Sequence, residues 1–257
     1  MRSSTDTCGE TVDPVEIVVA HSERATLRVG DTFLKVDGDD ERLRHEAELM
    51  AAAPVPTPRI LWMRDHVVAM SALDGAPLGR LGEPMTASAA AWVATGTVIR
   101  ILHEAPPPQR SAQQPAELTV ALDDECAWLV DNGLLPAELV MHNRRVADAA
   151  LRPWTPAFIH GDLQIAHVFI DDDQVTGILD WSEASAGDPL YDLAILTLGH
   201  PDRLDDLLVG YDSPVDRDVI RGWWSARSLL AARWLIEHGF DPDSPGCEFD
   251  VLRSALR

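Results

Sequence analysis

Short apolar runs separated by polar turns occupy the first part of the chain. They are rich in β-branched residues and bounded by turn residues, which predicts strands. The runs are VEIVVA (15–20), ATLRVG (25–30), TFLKV (32–36), RILWMR (59–64) and HVVAMSAL (66–73). A helical pattern, DDERLRHEAELMAAAP (39–54), lies between the third and fourth runs. This order predicts a five-stranded antiparallel sheet with one helix.

Helical periodicity dominates the rest of the chain. The predicted helices cover residues 87–105, 118–133, 136–153, 201–211 and 217–240. A β-hairpin is predicted among them, because HVFI (167–170) and TGILDW (176–181) are joined by the turn residues DDDQ (171–174). The sequence therefore predicts an α+β protein with a sheet-containing N-terminal part and a mainly helical C-terminal part.

Two lobes follow from this change of pattern. Residues 1–12 are polar, and we expect them to be disordered. The sheet and its helix make up a predicted N-terminal lobe over residues 13–73. The turn signal MSALDG (70–75) marks the predicted hinge, and residues 76–257 form the predicted C-terminal lobe.

The predicted hairpin and the strand before it carry the most distinctive polar residues. Asp162 follows the apolar strand end through His160 and Gly161, His167 begins the first hairpin strand, and Asp180 follows the second. A hairpin can bring such residues to one side of a site although they are distant in sequence. One carboxylate that accepts a proton and another that holds a metal are typical parts of a phosphoryl-transfer site.

Lys35 is the only lysine in the chain, whereas the other basic residues are all arginine. A surface lysine is usually replaceable by arginine, and this chain has arginine everywhere else. A compact ammonium group suits the neutralisation of phosphate charge in a confined site. Its uniqueness, its place on the third predicted strand and the helix that follows favour a functional role for Lys35.

The motifs HGD (160–162), LDWSE (179–183) and GDPLYDLA (187–194) together resemble those of the aminoglycoside phosphotransferase family, which has a protein-kinase-like fold. The resemblance extends over about residues 15–240 and implies a bilobal kinase. It assigns the catalytic base to Asp162 and magnesium binding to Asp180. The family usually has Asn five residues after the base, where this chain has His167, as the macrolide phosphotransferases do. His167 is therefore the second expected metal ligand, although imidazole prefers softer metals than Mg²⁺.

The resemblance also implies how ATP or GTP would be bound as co-substrate. The strand lysine of kinases pairs with a helix glutamate, and the pattern R-x-E-A selects Glu46, with Glu48 as the alternative. Ser22, in the first strand turn, is an expected phosphate contact or simply part of a polar hairpin. At the hinge, the backbone of Ser71 and Leu73 is expected to contact the adenine.

Further residues receive expected roles from the same resemblance. His160 and Asp188 are expected to support the site from behind, and Asp192 to hold the catalytic loop in place. Glu183 and Glu237 are expected to contact the acceptor, with exposed, solvated carboxylates as the alternative for both. His103, in the motif LHEAP, is expected to be a buried histidine and not a ligand.

Composition narrows the class of partner. The chain is 46% hydrophobic and 25% charged, as soluble globular proteins are, and its formal net charge is −21. Such a charge disfavours nucleic acid and anionic membranes and favours a cationic acceptor, unless it serves solubility alone. The three cysteines show no disulfide or zinc spacing, and no signal peptide or membrane span is visible. We expect a cytoplasmic monomer or homodimer.

These observations predict an O-phosphotransferase with an alcohol group as acceptor. The leading acceptor class is an antibiotic, either an aminoglycoside, a basic peptide antibiotic or a macrolide. The acidic composition favours the first two, and His167 favours the third. One alternative is a metabolic kinase of an amino sugar, a choline-like alcohol or another hydroxylated metabolite. A second alternative is a weakly active nucleotide-binding sensor.

Overall fold

The structure of the chain, a computed structural model, describes residues 14–21 and 23–255. These residues divide into two compact units. The first unit comprises the described residues up to Ala47 together with Pro58–Ala72, and the second comprises Glu48–Thr57 together with the chain from Leu73 onward. The lobe boundaries and the hinge expected from the sequence stay a prediction.

An antiparallel sheet of five strands forms most of the first unit, which confirms the predicted sheet. The strands are β1 (Val15–His21), β2 (Arg24–Val29), β3 (Thr32–Asp37), β4 (Ile60–Arg64) and β5 (Val67–Ser71), in the order β1-β2-β3-β5-β4. β3 is the central strand because it pairs with β2 on one side and with β5 on the other. Lys35 therefore lies in the middle of the sheet, opposite Thr26 and Val68.

Helix α1 (Asp40–Ala52) follows β3. Asp39 caps it, because its carboxylate accepts the backbone N–H groups of Glu41 and Arg42 at 3.0 and 3.1 Å. The buried face of the helix follows the helical period and includes one charged residue, Glu46, among apolar ones. Its buried members are Leu43, Glu46, Ala47, Leu49 and Met50.

Seven helices form most of the second unit, which confirms its predicted helical character. They are α2 (Ala89–Glu104), α3 (Pro115–Asp131), α4 (Ala137–Ala147), α5 (Pro189–Leu196), α6 (Leu204–Tyr211), α7 (Arg217–Glu237) and α8 (Glu248–Ser254). The long helix α7 packs against α3, α4, α5 and α8 and forms the centre of this unit. Within the described part of the chain, no helix is both long and apolar enough to cross a membrane.

Two glycines allow α2 and α6 to cross at backbone contact. A Cβ atom on Gly96 would lie 2.1 Å from the carbonyl oxygen of Leu207, and one on Gly210 would lie 1.8 Å from that of Val93. Neither distance is sterically possible, so only glycine fits at these two positions. The crossing brings the end of α6 next to the end of α2, where His103 contacts Tyr211.

Short strands position the polar motifs of the second unit. β8 (Val168–Asp171) and β9 (Gln174–Ile178) form the predicted hairpin. β6 (Ala76–Pro77) pairs with the edge of β8 that faces away from β9. Asp172 and Asp173 have φ of 46° and 60°, as a two-residue hairpin turn requires. β7 (Ala157–Ile159) pairs with β10 (Ser185–Gly187). The sequence patterns did not predict β6, β10 or α8.

Candidate active site

The loop that connects β7 to β8 contains Asp162, and we call residues 160–167 the catalytic loop after the role expected of Asp162. Its backbone folds back on itself, since Gln164 N–H donates to the Asp162 carbonyl at 2.9 Å and His167 N–H donates to the Gln164 carbonyl at 2.9 Å. Gly161 has φ of 82°, and a Cβ atom there would lie 2.3 Å from the Glu183 carbonyl oxygen. Glycine is therefore required next to Asp162.

Asp192, which is fully buried in α5, holds this loop by its backbone. Its carboxylate accepts the N–H groups of His160 at 2.7 Å and Gly161 at 2.9 Å. His103 Nε2 lies 3.1 Å from the same carboxylate and must carry a proton, because a carboxylate only accepts. The Tyr211 hydroxyl lies 3.0 Å from His103 Nδ1. His103 is thus the buried histidine expected from the sequence, and it supports Asp192.

His160 connects Asp162 to the residue before Asp180. Its Nε2 donates to the Leu179 carbonyl at 2.8 Å, and its Nδ1 accepts the Asp162 N–H at 3.3 Å. Burial of the ring lowers the pKa of His160 and favours the neutral imidazole. One donor and one acceptor nitrogen match the two partners of this neutral tautomer. His160 thus acts as a structural bridge.

The Asp162 carboxylate is hydrogen-bonded to the side chain of Gln164. Gln164 Nε2 lies 2.9 Å from Oδ1 and 3.1 Å from Oδ2. The sequence did not predict a role for Gln164, because a glutamine at this position is not typical of any particular chemistry. Only the turn between residues 162 and 167 directs its side chain back onto Asp162.

His167 and Asp180 have donor atoms that suit a divalent metal. His167 Nδ1 donates to the Asp162 carbonyl at 2.8 Å, so Nε2 is the nitrogen left to bind a metal, and such a backbone contact is typical of histidine ligands. Asp180 has φ of 61°, and Ser182 Oγ donates to its Oδ1 at 3.2 Å. Across residues 14–21 and 23–255, no group of three or more His, Cys, Asp or Glu side chains could hold a metal. A metal here would depend on phosphate and water oxygens as well, as Mg²⁺ commonly does.

In the first unit, Lys35 Nζ donates to Glu46 Oε1 at 2.7 Å. Both side chains are largely buried, at 12% and 9% exposed. The glutamate that pairs with Lys35 is the one selected by the R-x-E-A pattern, whereas Glu48 is exposed. The nucleotide-binding role of this pair stays a prediction.

The other expected nucleotide contacts stay predictions too. Ser22 lies outside the described residues. Ser71 ends β5, where its N–H donates to the Arg59 carbonyl at 3.0 Å. Leu73 begins the longer segment of the second unit. Its side chain fills the space beside Gly177, because a Cβ atom built on Gly177 would lie 2.4 Å from a Leu73 methyl carbon.

A cavity of about 390 Å³ reaches Gly161, the residue before Asp162. Three of the residues that line it are aromatic: the Trp223 ring lies 4.8 Å from that of Tyr191 and 5.9 Å from that of Trp154. Glu183 lines the cavity, and the Arg110 guanidinium, which also lines it, lies 3.6 Å from the Glu183 carboxylate. The cavity therefore presents aromatic surface and one half-exposed carboxylate that is paired with arginine.

Asp188 lies at the same cavity but is 2% exposed. Its carboxylate accepts the Trp223 indole N–H at 2.8 Å, an Arg152 N–H at 2.7 Å and the Leu190 N–H at 3.1 Å. These contacts cap α5 and fix the Trp223 ring. Asp188 thus shapes the cavity wall.

Two further side chains near Asp162 were not expected from the sequence. Arg227, on α7, is near Tyr191, and its guanidinium lies 3.7 Å from the Glu248 carboxylate. Burial opposes the charge of Arg227, yet its pKa is raised by the nearby Tyr191 and Asp162. Burial also raises the pKa of Tyr191 to about 12, so its hydroxyl stays protonated.

Glu237 lies apart from this cavity wall. It is at the end of α7, is half-exposed, and accepts a hydrogen bond from Arg233 at 2.8 Å. It does not belong to the residues that line the described cavity. Its expected contact with the acceptor stays a prediction.

The sequence matches the phosphotransferase enzyme family, abbreviated APH, over residues 19–223. The chain belongs to this family. The matched segment includes Lys35, the catalytic loop and Asp180, so the predicted membership is confirmed. The family also agrees with the kinase-type transferase predicted from these motifs.

Solved structures of phosphotransferases have the same fold. APH(2″)-IIia, solved as a complex with GDP and kanamycin, has a TM-score of 0.71 and 18% identity, with 96% of this chain and 94% of that chain covered. Macrolide 2′-phosphotransferase MphH from Brachybacterium faecium has a TM-score of 0.65 and 20% identity, with 95% and 91% covered. These likenesses confirm the α+β, protein-kinase-like fold.

One curated relative matches a short segment. The uncharacterized protein YcbJ of Bacillus subtilis (strain 168) is 45% identical over 51 residues, which are 20% of this chain. The matched segment spans 17% of YcbJ, so it carries little information about the activity of the whole protein.

Proposed function

We propose that this phosphotransferase moves the γ-phosphoryl group of ATP or GTP to a hydroxyl of a small antibiotic-like molecule. The observation that carries the proposal is the placement of Asp162. It lies in a loop whose backbone is held by the buried Asp192, directly after the glycine that an aromatic-lined cavity reaches. A carboxylate held at the edge of such a cavity suits a base that acts on a bound hydroxyl.

Asp162 accepts the proton of the acceptor hydroxyl as the hydroxyl oxygen forms its bond to the γ-phosphorus. The bond between the γ-phosphorus and the bridging oxygen breaks, and the nucleoside diphosphate leaves. Lys35, held by Glu46, neutralises phosphate charge. A divalent metal, Mg²⁺ in this proposal, would be held by Asp180 and His167 and would supply further charge neutralisation.

The lining of the cavity favours one acceptor class over another. A polycationic aminoglycoside needs several unpaired carboxylates, whereas the cavity has Glu183 paired with Arg110 and Asp188 paired with Arg152. The rings of Trp154, Tyr191 and Trp223 instead favour a large apolar body with few charges. We therefore place macrolides first and aminoglycosides and basic peptide antibiotics after them.

The test is nucleoside-diphosphate release with Mg²⁺ and ATP or GTP. The acceptor panel contains macrolides, aminoglycosides, basic peptide antibiotics, amino sugars and choline, and product masses identify the acceptor. Asp162→Asn should lower turnover by about 10³-fold or more because the base is lost, while nucleotide affinity changes by less than about twofold. Asp172→Asn, on the exposed hairpin turn, is the matched control and should leave turnover unchanged.

Other outcomes would select a different function. Turnover with choline or an amino sugar alone would indicate a metabolic kinase. Nucleotide binding without turnover on any acceptor would favour the sensor. Equal activity of Asp162→Asn and the parent protein would remove Asp162 from the role of base, and so would a joint loss of turnover and nucleotide affinity.

A further inference from the structure

Gln164 contacts the carboxylate of Asp162 but has no role in the proposed reaction. Its Nε2 is 2.9 Å from Asp162 Oδ1 and 3.1 Å from Oδ2. Since an ionised carboxylate only accepts hydrogen bonds, the amide nitrogen, and not the amide oxygen, must face Asp162. The backbone of Gln164 is fixed on both sides, because its N–H donates to the Asp162 carbonyl and its carbonyl accepts the His167 N–H.

Gln164 is also the sole hydrogen-bond partner of the Asp162 carboxylate within the described residues. The other hydrogen bonds of Asp162 use its backbone: its N–H donates to His160, and its carbonyl accepts from Gln164 and His167. Those bonds place the Cα atom of Asp162 but leave its side-chain torsions free. Among these hydrogen bonds, only those from Gln164 orient the carboxylate.

A neutral amide suits a base better than a cation would. A guanidinium or ammonium group in this position would stabilise the carboxylate anion strongly and reduce its tendency to take a proton. The amide orients the carboxylate at a smaller cost to its basicity. Because Nε2 lies near both oxygens, it can stay bonded to one of them while the other accepts the proton.

We propose that Gln164 is a positioning residue that orients the Asp162 carboxylate toward the acceptor hydroxyl. This inference rests on the proposed function of Asp162 as the base. Misplacement of a reacting group by about 1 Å can lower a rate by about 100-fold, so loss of this contact should be visible in turnover. Because Gln164 acts on the base alone, substrate binding should be unaffected.

The first experiment compares Gln164→Met and Gln164→Glu with the parent protein. Methionine keeps the length of the side chain but has no N–H donor, and kcat should fall by about 10-fold to 100-fold. Glutamate places a second carboxylate against Asp162, and its kcat should fall further. For Gln164→Met, the KM values of both substrates and the Tm should stay unchanged. Gln174→Met and Gln174→Glu, at an exposed strand start, are the controls and should behave like the parent protein.

Unchanged kcat in Gln164→Met would overturn the inference, and so would a rise in acceptor KM at constant kcat. Either result would leave the proposed function intact. If no acceptor is turned over, the proposed function fails, and a second measurement still tests the contact. The side-chain amide resonance of Gln164 should shift in Asp162→Asn and stay in place in Asp172→Asn. An unshifted resonance would overturn the inference whether or not an acceptor is known.

Discussion

Two buried carboxylates, Asp37 in the first unit and Asp192 in the second, are stabilised differently. In the first unit, Asp37 accepts hydrogen bonds from Arg42 and lies 3.2 Å from Arg24. In the second unit, Asp192 accepts two backbone N–H groups and the imidazole of His103. An opposite charge stabilises an anion in many orientations, whereas backbone N–H donors with fixed directions stabilise it in one orientation. Arginine pairing thus maintains the charge of Asp37 in the sheet, and the backbone N–H donors let Asp192 maintain the geometry of the catalytic loop.

The largest effect is expected where neutral donors lose their acceptor. Asp192→Ala leaves the buried N–H groups of His160 and Gly161 without a partner, which should lower the free energy of unfolding by about 3 kcal/mol. The catalytic loop would lose its anchor, so turnover should fall by about 100-fold or more. Urea unfolding and steady-state kinetics measure the two changes. Asp205→Ala, an exposed carboxylate on α6, is the control.

If Asp192→Ala kept both its stability and its turnover, the loop would be positioned by other contacts. The hydrogen bonds that Asp192 accepts would then not be what maintains the geometry of this loop.

A smaller effect is expected for the ion pair of Lys35. Lys35→Met removes the charge proposed to neutralise phosphate, so the Kd of the nucleotide should rise by at least about tenfold. The KM of the acceptor should not change. Glu46→Gln keeps the lysine charge and should have a weaker effect. Equilibrium nucleotide binding measures both, with the exposed Arg44→Met as control. Equal nucleotide affinity in Lys35→Met and the parent would contradict the proposed role.

The smallest effect is expected at Asp37 and depends on pH. Burial opposes ionisation of this carboxyl, but the hydrogen bonds from Arg42 and from the Asp39 N–H lower its pKa overall. A lowered pKa stabilises the fold above the unfolded-state value, about 4, and the stabilisation is lost as pH falls through the folded-state value. Asp37→Asn should thus be about 1 kcal/mol less stable at pH 7. The deficit should shrink below pH 4.

Urea unfolding at pH 7 and at pH 3 measures this dependence. A deficit of the same size at both pH values would show that Asp37 stabilises the sheet through its shape and not through its charge.

Much of the candidate site could be predicted from short motifs. HGD and LDW identified Asp162 and Asp180 as candidates because they resemble family motifs, and Lys35 was identified because it is the single lysine of the chain. The pairing of Lys35 with Glu46 followed from a family pattern and is present in the structure. Gln164, Tyr191, Arg110 and Arg227 were not predicted, since glutamine, tyrosine and arginine at such positions are common on any protein surface.

The sequence by itself determined the local elements: the five strands, the helices with regular apolar spacing and the hairpin turn at Asp172 and Asp173. Each of these depends on residues a few positions apart, which periodicity and turn chemistry describe.

Tertiary structure alone decided which distant residues meet. The two- and three-residue strands β6 and β10 exist only through pairing with β8 and β7. His103 meets Tyr211 because Gly96 and Gly210 let α2 and α6 touch, and Asp192 meets the catalytic loop because α5 packs beside β7. These contacts join residues that are far apart in the chain, and local sequence pattern carries no information about such distances.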